Sequence, residues 1–342
     1  MFLRMGEKCI LEKVYDVIAL GELLIDFTPA GKLESGEVRF EQNPGGAPAN
    51  VLTALAKFGK TTAFISKVGN DQFGYYLNSV LEKSNINTRG IVFTDDVNTT
   101  LAFVHLDDQG DRSFSFYRKP GADMMLHENE IDLEMIANSR IFHFGSISMT
   151  HEPSTTATLK AVAFAKENGL LISYDPNLRM NLWSDFNHAK NMIELGLKYA
   201  DILKISEEEL EFMTGIKDLR DGSEYIFSHF GIKLIFVTLG SKGCFYRLGN
   251  ETGKCYGYEI VPIDTTGAGD AFLAGILYQI IERNKSITEL SLKDVEQMVS
   301  FSNAVGALAT TKKGAIPAMP TLEEVLTLYK KPICVKEGIV SE

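Results

Sequence analysis

Short apolar runs alternate with amphipathic stretches along most of the chain. Val14–Gly21, Thr61–Val68, Leu170–Tyr174, Ile202–Ile205, Leu234–Leu239 and Tyr256–Val261 are predicted as strands from their Val, Ile, Leu and aromatic content. Helical spacing separates them. Thr155–Asn168 is helix-like, with Gly169 as its stop. Val51, Leu52, Leu55 and Phe58 share one helical face before Gly59, and Phe272, Leu273, Ile276, Leu277, Ile280 and Ile281 share another. Strands alternating with helices predict an α/β layered fold with a largely parallel sheet. One region breaks the rhythm. Thr99–Leu106 and Ser113–Arg118 alternate in character around the turn sequence Asp107-Asp108-Gln109-Gly110-Asp111, which predicts a β-hairpin. Gly31–Gln42 is a candidate extended segment beside it. Together they are expected to form a small β accessory; the alternative is an antiparallel edge of the main sheet.

Composition narrows the class. The chain has 342 residues, 45% hydrophobic and 23% charged, which excludes a disordered or fibrous protein. Lys plus Arg number 34 against 45 Asp plus Glu, for a net charge of -11. That balance argues against nucleic-acid and anionic-membrane partners. No apolar run approaches the ~20 residues of a membrane helix. Met1–Lys13 lacks the apolar core of a signal peptide, so a cytoplasmic location is expected. Cys9, Cys244, Cys255 and Cys334 have no CxxC spacing and are expected as small buried hydrophobes in a reducing compartment. His105, His143 and His151 have no metal-binding spacing, and Trp183 is expected to pack.

Candidate chemistry concentrates in two glycine-rich turns. Asp264-Thr265-Thr266-Gly267-Ala268-Gly269-Asp270-Ala271-Phe272 opens the helix that carries the second apolar face. Glycines there let the backbone approach a ligand, and helix N-terminal amides beside the positive dipole end form an anion hole. Asp270 would lie in the first helical turn, where a carboxylate can take a proton from a hydroxyl. The dipole alone also favours an acid there. A dinucleotide fingerprint is incomplete, because Phe272 stands where its third glycine would be, and no GxxxxGK[ST] loop exists. The second turn, Asn43-Pro44-Gly45-Gly46-Ala47-Pro48-Ala49-Asn50, also opens a helix. Asn50 can donate and accept, which suits a neutral polyol; a plain Gly/Pro turn before a core helix is the other reading.

The two turns together resemble the signatures of the ribokinase-like, or PfkB, carbohydrate kinase family. GGAPAN matches the N-terminal signature and DTTGAGDAF the C-terminal one, and the resemblance runs from about Val14 to Leu328. Within the family the chain is most similar to fructokinases, in GELLIDFTP, NPGGAPANV, FSFYRKPGADMML and FGSISMTHEPS. The resemblance implies one ribokinase-like domain over residues 1–342, an α/β/α three-layer core with a small β-sheet lid from about 31–42 and 99–118. It implies ATP-dependent phosphorylation of D-fructose to fructose 6-phosphate. The alternatives are a 2-keto-3-deoxygluconate kinase or another PfkB sugar kinase, and, in a different class, a catalytically inactive binding protein.

The resemblance also implies roles. Asp270 is the base, with Gly267, Ala268 and Gly269 as anion-hole amides. Asp26, Gly45, Gly46, Asn50, Arg118 and Asn177 line the sugar side, with Arg179 nearby. Lys204, Glu209, Thr238, Gly240, Gly243 and Asn303 serve the nucleotide. Ser206 stands where relatives often carry Asn, and Ser206-x-x-Glu209 also reads as a helix capping box. Glu209 would orient Mg²⁺ waters as well, while Asp264 and Thr266 resemble a K⁺ site. A homodimer through the lid is implied too.

Overall fold

The computed structural model describes residues 13–106 and 112–330. The expected turn Asp107–Asp111 and the cysteines Cys9 and Cys334 lie outside the described residues. The strands are β1 Tyr15–Leu20, β2 Leu24–Lys32, β3 Val38–Gly45, β4 Thr62–Gly69, β5 Ile86–Thr94, β6 Leu101–Leu106, β7 Arg112–Tyr117, β8 Ser139–Gly145, β9 Leu171–Asp175, β10 Ile202–Ser206, β11 Leu234–Thr238, β12 Cys244–Leu248 and β13 Glu251–Cys255. The helices are α1 Ala47–Lys57, α2 Gln72–Lys83, α3 Leu133–Ala137, α4 Ser154–Glu167, α5 Phe186–Leu197, α6 Glu207–Thr214, α7 Leu219–Phe230, α8 Ala268–Arg283, α9 Leu292–Ala309 and α10 Leu322–Tyr329.

Nine strands form one sheet in the order β13-β12-β11-β10-β9-β8-β1-β4-β5. Neighbours from β11 to β5 are parallel, and β12 and β13 are antiparallel. Both faces are covered, as a parallel sheet requires. Val17 and Ala19 pack into one apolar cluster with α1, α8 and α9, while Ile18 and Leu20 pack into another with α4 and α5. β11 divides the same way, Phe236 to one face and Val237 to the other. This continuous burial explains why these strands read as unbroken apolar runs. The fold is ribokinase-like, with three α/β/α layers and a smaller sheet.

That smaller sheet has the order β3-β2-β6-β7. Its strands extend beyond 31–42, because β2 begins at Leu24 and so carries Asp26. Pro29, Ala30 and Gly31 interrupt the apolar pattern in the second half of β2 and separate Leu24–Phe27 from the expected segment at 31–42. Phe27 and Phe103 stack at 4.8 Å, and Phe40 and Tyr117 meet Phe103 edge-on, so one face of the lid is aromatic.

The strand expected at Tyr256–Val261 does not form. β13 ends at Cys255, and the chain then leaves the sheet. A Cβ on Gly257 would lie 2.4 Å from the Ser241 carbonyl oxygen, so the backbone here runs tight against the 240–243 turn. Asn303 Nδ2 donates to the carbonyls of Cys255 (3.4 Å) and Tyr256 (3.0 Å). Asn303 is therefore a buried clip for this segment and not a surface polar residue. The expected packing residues are packed: Cys244 and Cys255 are buried, and Trp183 is buried against His188. Among the described residues, no helix is long and apolar enough to cross a membrane.

Candidate active site

The parallel strands β1, β4, β8, β9, β10 and β11 all point their C-terminal ends at one edge, and the sequence order reverses between β1 and β8. Ligands of open α/β sheets bind in that crevice. Helix α8 enters it through Gly267, whose φ of 77° is left-handed and suits glycine. Ala268, Gly269 and Asp270 form the first turn, whose amides lack intrahelical partners. A Cβ on Gly269 would lie 3.0 Å from Lys204 Nζ, so the ammonium sits against this turn.

Asp270 is buried. Its Oδ2 accepts a 2.8 Å hydrogen bond from Asn50 Nδ2, and its Oδ1 a long 3.5 Å contact from Asn177 Nδ2. Asn177 reaches it from a left-handed backbone, φ 49°. Burial pushes the Asp270 carboxyl up to about 6, with the Asp175 charge adding to the shift and Asn50, Lys204 and Arg179 opposing it. Asp175, at the end of β9, pairs with Lys204 at 3.0 Å in a buried site. Burial alone would lower the Lys204 ammonium, but Asp175 first, then Glu209 and Asp270, outweigh it and hold the amine above its ordinary range.

Glu209 closes the far side. Ser206 caps α6 and Glu209 answers it, as the capping box predicts. Its two oxygens accept from the amides of Leu178 (2.6 Å) and Ser206 (2.9 Å). Burial raises its carboxyl, and Lys204 opposes that.

The sugar-side residues assemble around α1. A Cβ on Gly45 would lie 2.4 Å from Asp26 Oδ2, and one on Gly46 would lie 2.3 Å from the Glu22 carbonyl oxygen. Gly46 has φ 131°, a conformation that favours glycine, and precedes α1. Both glycines therefore let the loop lie directly on β2, bringing Asp26 and Asn50 to one place. Burial pushes Asp26 up to about 6, and the Arg179 charge opposes this.

A cavity of about 350 Å³ adjoins the α8 turn. It is lined by Thr238, Gly240, Gly243, Ala268, Gly269 and Asn303, among others. Tyr258, Ile260 and Phe272 add apolar walls. The 238–243 segment is both the hairpin turn between β11 and β12 and a wall of this cavity.

Other residues have different uses. Arg118 is buried, and its Nε donates to Asp123 (2.8 Å), its Nη1 to Thr150 (2.9 Å) and its Nη2 to the Ile147 carbonyl (3.2 Å). Most of its donors are therefore engaged by the protein. Asp264 clips its own loop: Oδ1 accepts from the Thr266 amide and hydroxyl, and Oδ2 from the Gly314 amide. Sequence reasoning gave no individual role to Asp175, Glu22 or Asp123. Asp175 was detectable as the acid of Asp-Pro-Asn at a strand end. Glu22 carries no local signal, because the amide it accepts from lies 25 residues away, whereas Asp123 pairs with Arg118, 5 residues before it, and with Thr100, 23 residues before it.

An α/β crevice with a buried acid at a helix N-terminus, a flanking ammonium and a glycine-lined cavity defines a phosphotransferase of the ribokinase type. The family profile described as pfkB family carbohydrate kinase matches residues 14–322, and the chain belongs to that family. It is 43% identical over 316 residues to fructokinase-2 of Solanum lycopersicum, covering 92% of this chain and 96% of that protein. The ATP-bound crystal structure of the fructokinase of Xylella fastidiosa is similar, with a TM-score of 0.85, 33% identity, and coverage of 92% and 98%. A double mutant of the Vibrio cholerae fructokinase, in a fructose-, ADP- and potassium-bound form, has a TM-score of 0.83 and 34% identity, with coverage of 93% and 99%. The chain is thus a carbohydrate kinase.

Proposed function

We propose that this kinase transfers the γ-phosphoryl group of ATP to the 6-hydroxyl of D-fructose, giving fructose 6-phosphate and ADP. The observation that carries this is Asp270, buried in the first turn of α8, held by Asn50 from the sugar side and facing the Lys204 ammonium. ATP would occupy the cavity walled by Thr238, Gly240, Gly243 and Asn303, with its phosphates toward Ala268 and Gly269. Fructose would lie over Asp26, Gly45, Gly46, Asn50 and Asn177. An ionised carboxylate accepts hydrogen bonds from vicinal hydroxyls, which suits Asp26.

In the step, the sugar O6 proton passes to the Asp270 carboxylate as O6 bonds to the γ-phosphorus. The bond from that phosphorus to the β–γ bridging oxygen breaks, and ADP leaves with its electron pair. The Gly267–Gly269 amides and Lys204 stabilise the charge on the transferring group. Mg²⁺ would neutralise charge between the β- and γ-phosphates. Glu209 and Asp175 are the hard oxygen donors around Lys204; since the Glu209 oxygens already accept from the Leu178 and Ser206 amides and Asp175 pairs with Lys204, they would hold that ion through the waters it keeps. Asp264 and the carbonyls around 309–314 are likewise hard donors suited to K⁺, which would order the anion hole.

The position of Arg118 favours fructose over 2-keto-3-deoxygluconate, because the arginine that would meet a keto-acid carboxylate is paired with Asp123. Intact Gly267, Gly269 and Asp270 favour catalysis over mere binding. The exposed aromatic face of the lid, including Phe40 and Tyr117, supports a homodimer through the lid. A cytoplasmic location completes the proposal. ADP release from MgATP with fructose, glucose, mannose, ribose and 2-keto-3-deoxygluconate tests the substrate, with ³¹P NMR locating the ester. Preferential turnover of fructose with phosphate on C6 supports the reading; preference for another sugar removes it.

A further inference from the structure

The hairpin β6–β7 meets the core at two feet. Thr100 precedes β6, Arg118 follows β7, and the first lid pair, Leu101 with Tyr117, stands directly on them. Both feet end on one carboxylate. Asp123 Oδ1 accepts from Thr100 Oγ1 at 2.5 Å, and Oδ2 accepts from Arg118 Nε and Nη2, each at 2.8 Å. The Arg118 and Asp123 side chains are only 3% and 1% exposed. The contact is tight enough that a Cβ on Gly121 would lie 1.8 Å from Thr100 Oγ1. Beside this knot, Asp71 accepts from the Thr99 amide and hydroxyl, both at 2.8 Å, fixing the adjoining residue to the start of α2.

What stands on the feet is the sugar side. β6 pairs in parallel with β2, placing Ala102 opposite Asp26, two residues beyond Thr100. The position of the foot therefore sets the position of the Asp26 carboxylate. The cavity assigned to ATP is lined by other parts of the chain: residues between 238 and 262, Thr265, α8, α9 and Thr310.

We propose that Asp123 is a positioning residue for the phosphotransfer: by clamping Thr100 and Arg118 together it fixes the lid, and with it Asp26, over the sugar. This makes Arg118 a lid anchor acting through Asp123. The inference rests on the fructose reading only for its choice of sugar.

The test compares wild type with Asp123→Asn, Thr100→Val and the conservative Thr100→Ser. Asp123→Asn keeps the shape but removes the charge, and Thr100→Val removes one bond. Both should raise the fructose KM roughly tenfold while the ATP KM stays within about twofold, because a lost buried charge partner displaces only what it held. Thr100→Ser should restore the wild-type KM. Amides of β6 should exchange hydrogen faster in Thr100→Val than in wild type, with β1 unchanged. A wild-type fructose KM in folded Thr100→Val, or an equal rise in both KM values, overturns the clamp. If Asp123→Asn does not fold, Thr100→Val decides alone. Wild type that fails to turn over fructose sinks the substrate reading instead, and the exchange measurement then judges the clamp.

Discussion

Asp270 must be ionised to take a proton, and burial has raised its carboxyl to about 6. Activity should therefore fall with acidification through pH 6. Asn50 opposes the rise by donating to the ionised form. Asn50→Ala removes that bond, so the Asp270 value should climb and the acid limb of the kcat profile should move to higher pH, read from initial rates at saturating substrates. An unmoved limb would separate Asn50 from the base. A second buried acid acts on stability. Burial pushes Glu22 up to about 7 from 4.5, with its hydrogen bond to the Ala47 amide opposing the shift. The folded state thus keeps a proton that the unfolded chain gives up, and stability declines as pH rises between those values. Glu22→Gln keeps the acceptor without the charge. It should raise Tm at pH 8, by an equivalent of about 3 kcal/mol, and leave Tm nearly unchanged at pH 4.

At the scale of elements, function depends on turns where backbone meets backbone. Gly243 has φ 97°, and a Cβ there would lie 2.1 Å from the Cys255 carbonyl oxygen. Gly243→Ala should cost about 2 kcal/mol of stability or more and raise the KM for ATP while leaving that for fructose, checked by thermal melts and two-substrate kinetics. The helices α1 and α8 and their glycine turns were legible in the sequence because both signals are local: glycines at the turn, then a 3.6-residue apolar face. The buried strands β1, β4, β9, β10 and β11 were legible as short apolar runs, whereas β8, equally buried, was not delimited because Ser139, Arg140 and His143 interrupt its run. Tyr256–Val261 misled because its composition suits a strand, whereas its path is decided by Ser241, 16 residues from Gly257, and by Asn303, 47 residues from Tyr256. Strand β2 exceeds the expected 31–42 segment because its first half, Leu24–Phe27, precedes the Pro29–Gly31 break.

For the whole molecule, the lid sheet divides its labour by face. Asp26 lies on the face proposed to meet the sugar, and Phe27, Phe40, Phe103 and Tyr117 form the aromatic side. A dimer of about twice the chain mass should appear in light scattering, and Phe40→Glu should shift it toward monomer. The acidic net charge conceals the buried Lys204, whose ammonium sits against the first turn of α8. Net charge sums over the surface, while a phosphate site depends on one ammonium and a few amides. Likewise the motifs pointed to Arg118 without showing that Asp123, five residues on, occupies it.

The central claim is that Asp270 is the base at the head of α8. ADP release with MgATP and fructose, measured for wild type beside Asp270→Asn with melts confirming that both are folded, tests it most directly. The account predicts a kcat lower by roughly three orders of magnitude in the variant, with substrate KM values little changed. A folded Asp270→Asn enzyme that turns over at the wild-type rate would contradict it.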